Sequence, residues 1–182
     1  MKTRKPTLLL DTCVGSDFLN VDAEIVGLAS KSLGELLIPR VLMEELSRKF
    51  EFDVLDALGL RVVDSSDEIL KEAGVFRLKK GFRLLSENDC VCLLTALKNK
   101  YTCVTNDRLL QKTCKEHGVQ VWWGVEVVLA LYEQDGVSYE RAENFIVRLR
   151  QTTFYVKKEH EDEYRRRLLA IKEKKTNQIS DD

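Results

Sequence analysis

Residues 8–14 have the sequence LLLDTCV, in which three leucines lead directly into an acid. A short apolar run that ends at polar residues is typical of a buried strand. Asp11 then lies where that strand ends, at the edge where open α/β sheets place their ligands. The stretch therefore predicts a first strand with a carboxylate at its carboxyl end.

Similar apolar runs recur along the chain and alternate with helical patterns. The later runs lie at residues 36–38, 60–63, 101–104 and 119–123. Between them apolar residues recur at helical spacing, as in Val91, Leu94 and Leu97, which indicates amphipathic helices. Strands that alternate with helices form a parallel sheet covered on both faces. The sequence thus predicts an α/β fold with a mostly parallel central sheet.

The pattern changes after residue 123, where three helical segments follow one another with no strand between them. In the middle segment one face of the helix is apolar and must pack on something. That face consists of Ala142, Phe145, Ile146 and Leu149. We therefore predict a domain at residues 1–134, a helical extension at 135–175 that packs on the domain or on a partner, and a disordered tail at 176–182.

Composition and charge narrow the class of protein. A chain of 182 residues is long enough for one domain with an appendage. A net charge of -1 provides no global basic field, so nucleic-acid binding would require local basic patches or metal ions. The five cysteines lack the C-x-x-C spacing of zinc sites, and no run approaches the ~20 apolar residues of a membrane span. We expect a reduced, cytoplasmic protein without membrane association.

Three further acids lie where the same edge of the sheet is expected. Asp107 follows the fourth apolar run, while Glu45 and Asp89 lie early in predicted helices. A cluster of carboxylates repels itself unless a cation lies between them. Mg²⁺ and Mn²⁺ prefer oxygen ligands and pair readily with phosphate groups. The joint pattern therefore favours metal-assisted hydrolysis of phosphodiester bonds.

Each of these acids, taken alone, also has a structural explanation, which for Glu44 and Glu45 is a solvated helix charge that could pair with Arg48 or Lys49. Ser86 and Asp89 have the spacing of a capping box. Either Asn106 or Asp107 could cap the helix that follows, and Asp11 could close a turn. Only the joint occurrence of the acids at one expected edge favours a functional site.

Four short stretches carry the acids in order: LLLDTCV at 8–14, IPRVLMEEL at 38–46, SENDCVCLLTAL at 86–97 and VTNDRLL at 104–110. Their order and spacing resemble those of the PIN-domain family, which includes VapC-like toxin ribonucleases. The resemblance covers residues 7–156. It implies a PIN-like three-layer α/β/α fold with a C-terminal helical extension, and the activity of a metal-dependent endoribonuclease.

The resemblance assigns catalysis and metal binding to four acids: Asp11, Glu45, Asp89 and Asp107. The spacing from Ile38 favours Glu45 over its neighbour Glu44. Thr105 matches a hydroxyl residue that supports the last acid, and Thr12 is a second candidate supporting residue. The implied cofactor is Mg²⁺ or Mn²⁺.

Candidate RNA contacts outside the acids are of two kinds. Four basic residues precede the Asp89 helix: Arg77, Lys79, Lys80 and Arg83. They could bring phosphates to the acids, but a solvated surface explains them equally well. Trp122 and Trp123 suggest base stacking, yet neighbouring strand residues face opposite sides, so at least one is expected in the core.

Partners follow from the resemblance as expectations. They are RNA as substrate, a second copy of the chain in a homodimer and, if the chain is the toxin of a toxin–antitoxin pair, an antitoxin protein. The alternative is an inactive PIN-like module that binds protein or RNA through other surfaces. Metal binding distinguishes the two hypotheses.

Other enzyme classes lack their key residues in this chain. There is no G-x-x-x-x-G-K-[ST] and no strand-anchored G-x-G-x-x-G, which disfavours nucleotide-binding folds. A haloacid-dehalogenase-like phosphatase requires an aspartate where Cys13 stands. The two histidines, His117 and His160, lie in charged segments without an evident catalytic partner.

Overall fold

A computed structural model describes residues 5–48, 50, 59–78 and 84–180 of the chain. Within these ranges one sheet has five strands: β1 Leu8–Leu10, β2 Leu36–Pro39, β3 Arg61–Val63, β4 Thr102–Val104 and β5 Val121–Trp122. The strand order is β3-β2-β1-β4-β5, and every neighbouring pair is parallel. The predicted α/β class is confirmed, with a sheet that is parallel throughout.

The helices of the described residues are α1 Thr12–Asp22, α2 Glu24–Ser32, α3 Arg40–Ser47, α4 Asp67–Leu78, α5 Glu87–Asn99, α6 Arg108–Glu116, α7 Gly124–Glu133, α8 Tyr139–Thr152 and α9 Lys158–Ser180. By the general rule that crossovers between parallel strands are right-handed, α1, α2 and α3 lie on one face of the sheet and α4, α5 and α6 on the other. Helix α5 packs on the sheet, and α4 and α6 pack on α5. On the opposite face α7 contacts α2, and α8 contacts α1. The predicted three-layer α/β/α arrangement is therefore confirmed.

The first strand is the centre of the core. Leu8, Leu9 and Leu10 have no exposed surface, because helices cover both faces of the sheet. A strand buried on both faces is continuously apolar rather than alternating, which is the pattern that marks this segment in the sequence. The first polar side chain after it, Asp11, is therefore held at a fixed place on the rim of the sheet.

The C-terminal helices pack on this core in sequence. The predicted apolar face of α8 is buried, and its Phe145 ring meets Phe18 of α1 edge to face at 5.8 Å between centroids. Helix α9 then packs on α7 and α8. It continues to Ser180, past residue 176 where we expected a disordered tail to begin, because no glycine or proline after residue 158 ends the helix.

All five cysteines are free thiols. Cys90, Cys92, Cys103 and Cys114 are buried, whereas Cys13 is half-buried beside Asp11. Among the described residues, no helix is both long and apolar enough to cross a membrane.

Candidate active site

A small pocket lies at the carboxyl ends of β1 and β4. It has a volume of about 180 Å³ and is lined by eight residues: Asp11, Thr12, Cys13, Glu45, Ser86, Asn88, Asp89 and Asp107. In the sheet, β2 and β3 lie on one side of β1, and β4 and β5 lie on the other. The pocket therefore lies at the point where the strand order reverses, which is where open parallel sheets bind ligands. We call it the acid pocket.

Asp11 is the most buried acid of this pocket, with 5% of its surface exposed. Its Oδ1 accepts a hydrogen bond from the Thr12 backbone N–H at 2.7 Å. Its Oδ2 accepts from Thr105 Oγ1 at 2.7 Å and from the Cys13 thiol at 3.0 Å. Burial raises the pKa of Asp11 to about 6, the nearby charge of Asp89 acts in the same direction, and these hydrogen bonds oppose the rise.

Cys13 remains a neutral thiol in this environment. Burial raises its pKa, and the adjacent Asp11 charge raises it further. A neutral thiol can donate to the Asp11 carboxylate, which a thiolate could not do. Cys13 therefore supports Asp11 as a hydrogen-bond donor and does not present a nucleophile.

Glu45 reaches the acid pocket from the third helix. Its Oε2 accepts hydrogen bonds from Thr12 Oγ1 at 3.2 Å and from Asn88 Nδ2 at 2.9 Å. Its neighbour Glu44 is exposed and does not line the pocket. The placement of Glu45 in the pocket and of Glu44 outside it agrees with the sequence spacing, and the hydroxyl of Thr12 contacts Glu45 rather than its chain neighbour Asp11.

Asp89 and Asp107 each cap a helix and also line the acid pocket. Asp89 Oδ2 accepts from the Ser86 backbone N–H at 2.7 Å, which completes a capping box at the start of α5. Asp107 Oδ1 accepts from the Leu110 N–H at 2.7 Å at the start of α6. Burial raises the pKa of Asp89, and repulsion from Asp107 and Glu45 adds to the effect. Asp89 and Asp107 therefore serve both as capping residues and as part of the pocket.

Thr105 connects two of the acids. Its hydroxyl donates to Asp11 and accepts a hydrogen bond from the Asp107 backbone N–H at 3.0 Å. It has no exposed surface, so water cannot compete for these bonds. This side chain holds the ends of β1 and β4 in a fixed relation.

The family model of the PIN domain matches residues 8–116, which is more than half of the chain and includes all four acids. The chain belongs to the PIN-domain family. PIN domains are generally nucleases and typically use divalent metal ions. No curated protein matches the sequence.

The acid pocket has the ligand chemistry that a PIN domain requires. Its carboxylates are the hard oxygen donors that Mg²⁺ and Mn²⁺ prefer, and the raised pKa values of Asp11 and Asp89 reflect a loss of solvation and a repulsion that a cation would offset. As placed, no group of three or more His, Cys, Asp or Glu side chains in the described part of the chain could hold a metal ion. The pocket therefore supplies suitable donors without a preformed coordination sphere.

Two residues of the PIN-domain site have roles that the sequence did not suggest. Asn88 precedes the helix acid Asp89 and hydrogen-bonds Glu45, which lies 43 positions earlier in the chain. Asn106 accepts from the Gly124 N–H at 3.0 Å and donates to Asp17 at 2.8 Å, rather than capping the next helix. A polar Asp17 among the apolar residues of α1 was the available signal for this contact.

The predicted basic patch of this PIN domain is only partly described. Arg77 is exposed at the end of α4. Lys79, Lys80 and Arg83 lie outside the described residues. Their assignment as RNA-binding residues stays a prediction.

Proposed function

We propose that this PIN-domain protein is a metal-dependent endoribonuclease that hydrolyses RNA phosphodiester bonds. The observation that supports this most strongly is the acid pocket itself, in which acids from four separate segments of the chain line one space. Their mutual repulsion has no structural benefit, since three of them could cap their helices from positions facing solvent. A role in cation binding explains why they converge.

The residues of the pocket have distinct parts in this proposal. Asp11, Glu45, Asp89 and Asp107 are the metal ligands, and Thr12 and Thr105 orient Glu45 and Asp11 through hydrogen bonds of 3.2 and 2.7 Å. Bound Mg²⁺ or Mn²⁺ would lower the pKa of an attacking water and stabilise negative charge on the phosphate. Asp11 would bind as the carboxylate, so it must lose the proton that burial favours.

Cleavage assays with a matched pair of variants test the proposal. Purified protein is incubated with single-stranded and structured RNAs in Mn²⁺, in Mg²⁺ and in EDTA. We expect cleavage with metal only, and we expect Glu45→Gln to reduce its rate by roughly a hundredfold or more, because a metal ligand stabilises the transition state by several kcal/mol.

The control for this experiment is Glu44→Gln. It removes the same charge from the adjacent, exposed position of the same helix and should cleave as the wild type does. Equal activity in both variants would remove Glu45 from the proposed mechanism.

One alternative has a specific observation in its favour. Asp11, Asp89 and Asp107 all cap helices, and no metal-binding group is preformed among the described residues. These facts suit a PIN-like module that has kept its acids as caps and acts through a protein or RNA partner. Calorimetric titration with Mn²⁺ separates the two, because the module should give no binding heat that depends on Asp11.

Family membership supports three finer hypotheses. They are that the chain is the toxin of a toxin–antitoxin pair, that an antitoxin protein inhibits it, and that it acts in the cytoplasm as a homodimer. Growth arrest on expression, lost in Asp89→Asn, would support the toxin role, and unimpaired growth with active protein present would contradict it.

A further inference from the structure

A second, larger cavity adjoins the acid pocket. It has a volume of about 540 Å³ and lies between the ends of β4 and β5 and the segment that joins α8 to α9. Cys13 and Asp107 line both cavities, so the two lie side by side. A chain-like ligand with one group at the acid pocket would therefore have its neighbouring group beside this space. We call it the aromatic cavity.

Trp123 and Tyr155 give the aromatic cavity two rings with accessible surface. Trp123 is half-buried at the end of β5, and Tyr155 is 39% exposed. The Tyr155 hydroxyl is fixed, because it donates to Asp17 and accepts from Asn106 Nδ2 at 3.0 Å. A ring that is already immobilised loses little conformational entropy when a flat ligand stacks on it.

On the other side of the aromatic cavity, two hydrogen-bond donors meet one imidazole ring. The Lys157 backbone N–H lies 3.0 Å from His160 Nδ1, and Arg108 Nη2 lies 3.0 Å from His160 Nε2. A neutral imidazole has one lone pair, whereas the amide and the guanidinium can only donate. One N–H of this group is therefore left without an acceptor, and protonation of His160 would only add another donor.

Arg108 and Lys157 also bring positive charge to the aromatic cavity. Within the described residues neither side chain forms an ion pair, although Glu159 and Asp107 line the same cavity. In contrast, Arg150, Lys158 and Arg165 nearby all pair with acids. Two cations without ion pairs, beside an unmatched N–H, suit a phosphate group, whose oxygens accept several hydrogen bonds at once.

We propose that the aromatic cavity binds one unpaired nucleotide of a single-stranded RNA, with its base against Trp123 and Tyr155 and its phosphate at Arg108, Lys157 and His160. Its volume is within the roughly 300–1,000 Å³ of small-ligand sites. A base in a duplex is already stacked and paired, so it is not available to these rings. The proposal rests on the proposed nuclease function, since it places the adjoining phosphodiester at the acid pocket.

Binding measured in EDTA tests this site without cleavage. Fluorescence anisotropy of a labelled, unstructured short RNA is compared with that of the same strand annealed to its complement, and nucleoside 5′-monophosphate is added as a competitor. Trp123→Leu should weaken single-strand binding by roughly five- to a hundredfold, as expected for loss of one stacked base, whereas Trp123→Phe should retain most of it.

Arg108→Ala tests the phosphate contact and has a matched control. It should weaken binding and reduce the slope of log K against log salt by about one, which a purely structural role would not do. Lys112→Ala removes the same charge one turn along α6. Lys112 does not line the cavity, and its Nζ lies 3.8 Å from Glu116 Oε1. That variant should bind as the wild type does. If Trp123→Leu fails to fold, Arg108→Ala decides the question.

Three results would overturn the proposal: equal affinity for duplex and single strand, unchanged binding in Trp123→Leu and Arg108→Ala, or no binding by the wild type. The nuclease proposal fails separately. If binding depends on Trp123 but no cleavage occurs in Mn²⁺, the nuclease proposal fails and the nucleotide site stands. If cleavage occurs but the variants bind as the wild type does, the nucleotide site fails and the nuclease proposal stands.

Discussion

Two opposing effects act on the ionisation of the Asp11 side chain. Burial favours its protonated form, yet three donors surround it as though it were ionised. In the absence of metal these effects leave its pKa at about 6 instead of 3.8. The residue is therefore a source of instability in the metal-free protein at neutral pH.

This predicts a pH dependence of stability with a definite sign. The folded state binds the Asp11 proton more tightly than the unfolded chain does, so this stabilisation is present below about pH 4 and is lost as pH rises through the folded pKa of about 6. The loss is about 3 kcal/mol, since one pKa unit corresponds to about 1.4 kcal/mol. Urea denaturation in EDTA across pH 4 to 7.5 measures it.

Asp11→Asn should abolish most of this dependence, and the variant should be more stable than the wild type at pH 7.5 without metal. Glu44→Gln, which alters an exposed carboxylate, should keep the wild-type dependence. A wild type whose free energy of unfolding rises from pH 4 to 7.5 in EDTA would show that Asp11 is not the dominant group.

The acids could be located from the sequence, but their supporting residues could not. Asp11 and Asp107 follow apolar runs, and strand ends meet at one rim in any parallel sheet. The bonds from Asn88 to Glu45 and from Asn106 to Asp17 join segments far apart in the chain. Such contacts depend on how helices are placed in three dimensions, which hydrophobic spacing does not determine.

At the level of elements, α8 and α9 complete the fold and one wall of the aromatic cavity. Helix α9 is joined to α8 by the buried Glu161, which pairs with Arg150 of α8 and with Lys158. Its narrow apolar stripe includes Tyr164 and Leu168, both buried. The stripe therefore packs on the same chain rather than facing solvent.

A pair of neighbouring leucines tests this packing. Leu168 has no exposed surface, whereas Leu169 is 45% exposed. Leu168→Ala should lower the free energy of unfolding by about 2–4 kcal/mol, because it leaves a cavity between helices. Leu169→Ala should cost less than about 1 kcal/mol. Chemical denaturation measures both, and equal losses would contradict the docking of α9.

Strand positions could be predicted better than strand lengths. The fourth apolar run covers residues 101–104, while β4 is Thr102–Val104, and the fifth run covers 119–123, while β5 is Val121–Trp122. An apolar run reports burial, and burial continues into loops that lie under helices. The end of a strand depends on backbone pairing with its neighbour, for which the side-chain pattern carries little information.

For the whole molecule, metal binding should appear as increased thermal stability. Mn²⁺ at ten times its Kd adds about 1.4 kcal/mol to the stability of the folded state. For a chain of this size that corresponds to an increase in Tm of about 3–6 °C. Differential scanning calorimetry at pH 7.5 should record the increase, and EDTA should reverse it.

The same scan on Asp11→Asn identifies the site. Loss of the Mn²⁺ effect in that variant would assign the ion to the acid pocket. An undiminished increase would place the ion elsewhere on the protein and weaken the nuclease proposal.

The fold class could be predicted from the sequence, but the cavities could not. Alternating apolar strands and amphipathic helices leave few topologies, because crossovers are right-handed and helices must cover both faces of the sheet. The aromatic cavity combines Trp123 after β5 with Tyr155 after α8, and only the docking of the C-terminal helices brings them together. No local pattern marks such a space.

Three of the four acids that line the acid pocket also cap helices, and this has a consequence for the history of the family. Asparagine caps a helix about as well as aspartate, so Asp107→Asn removes a charge and keeps the cap. One nucleotide change in a codon can thus remove a proposed metal ligand while leaving the protein folded. Lineages should accumulate such silent descendants, with the aromatic cavity intact, as binding proteins derived from enzymes.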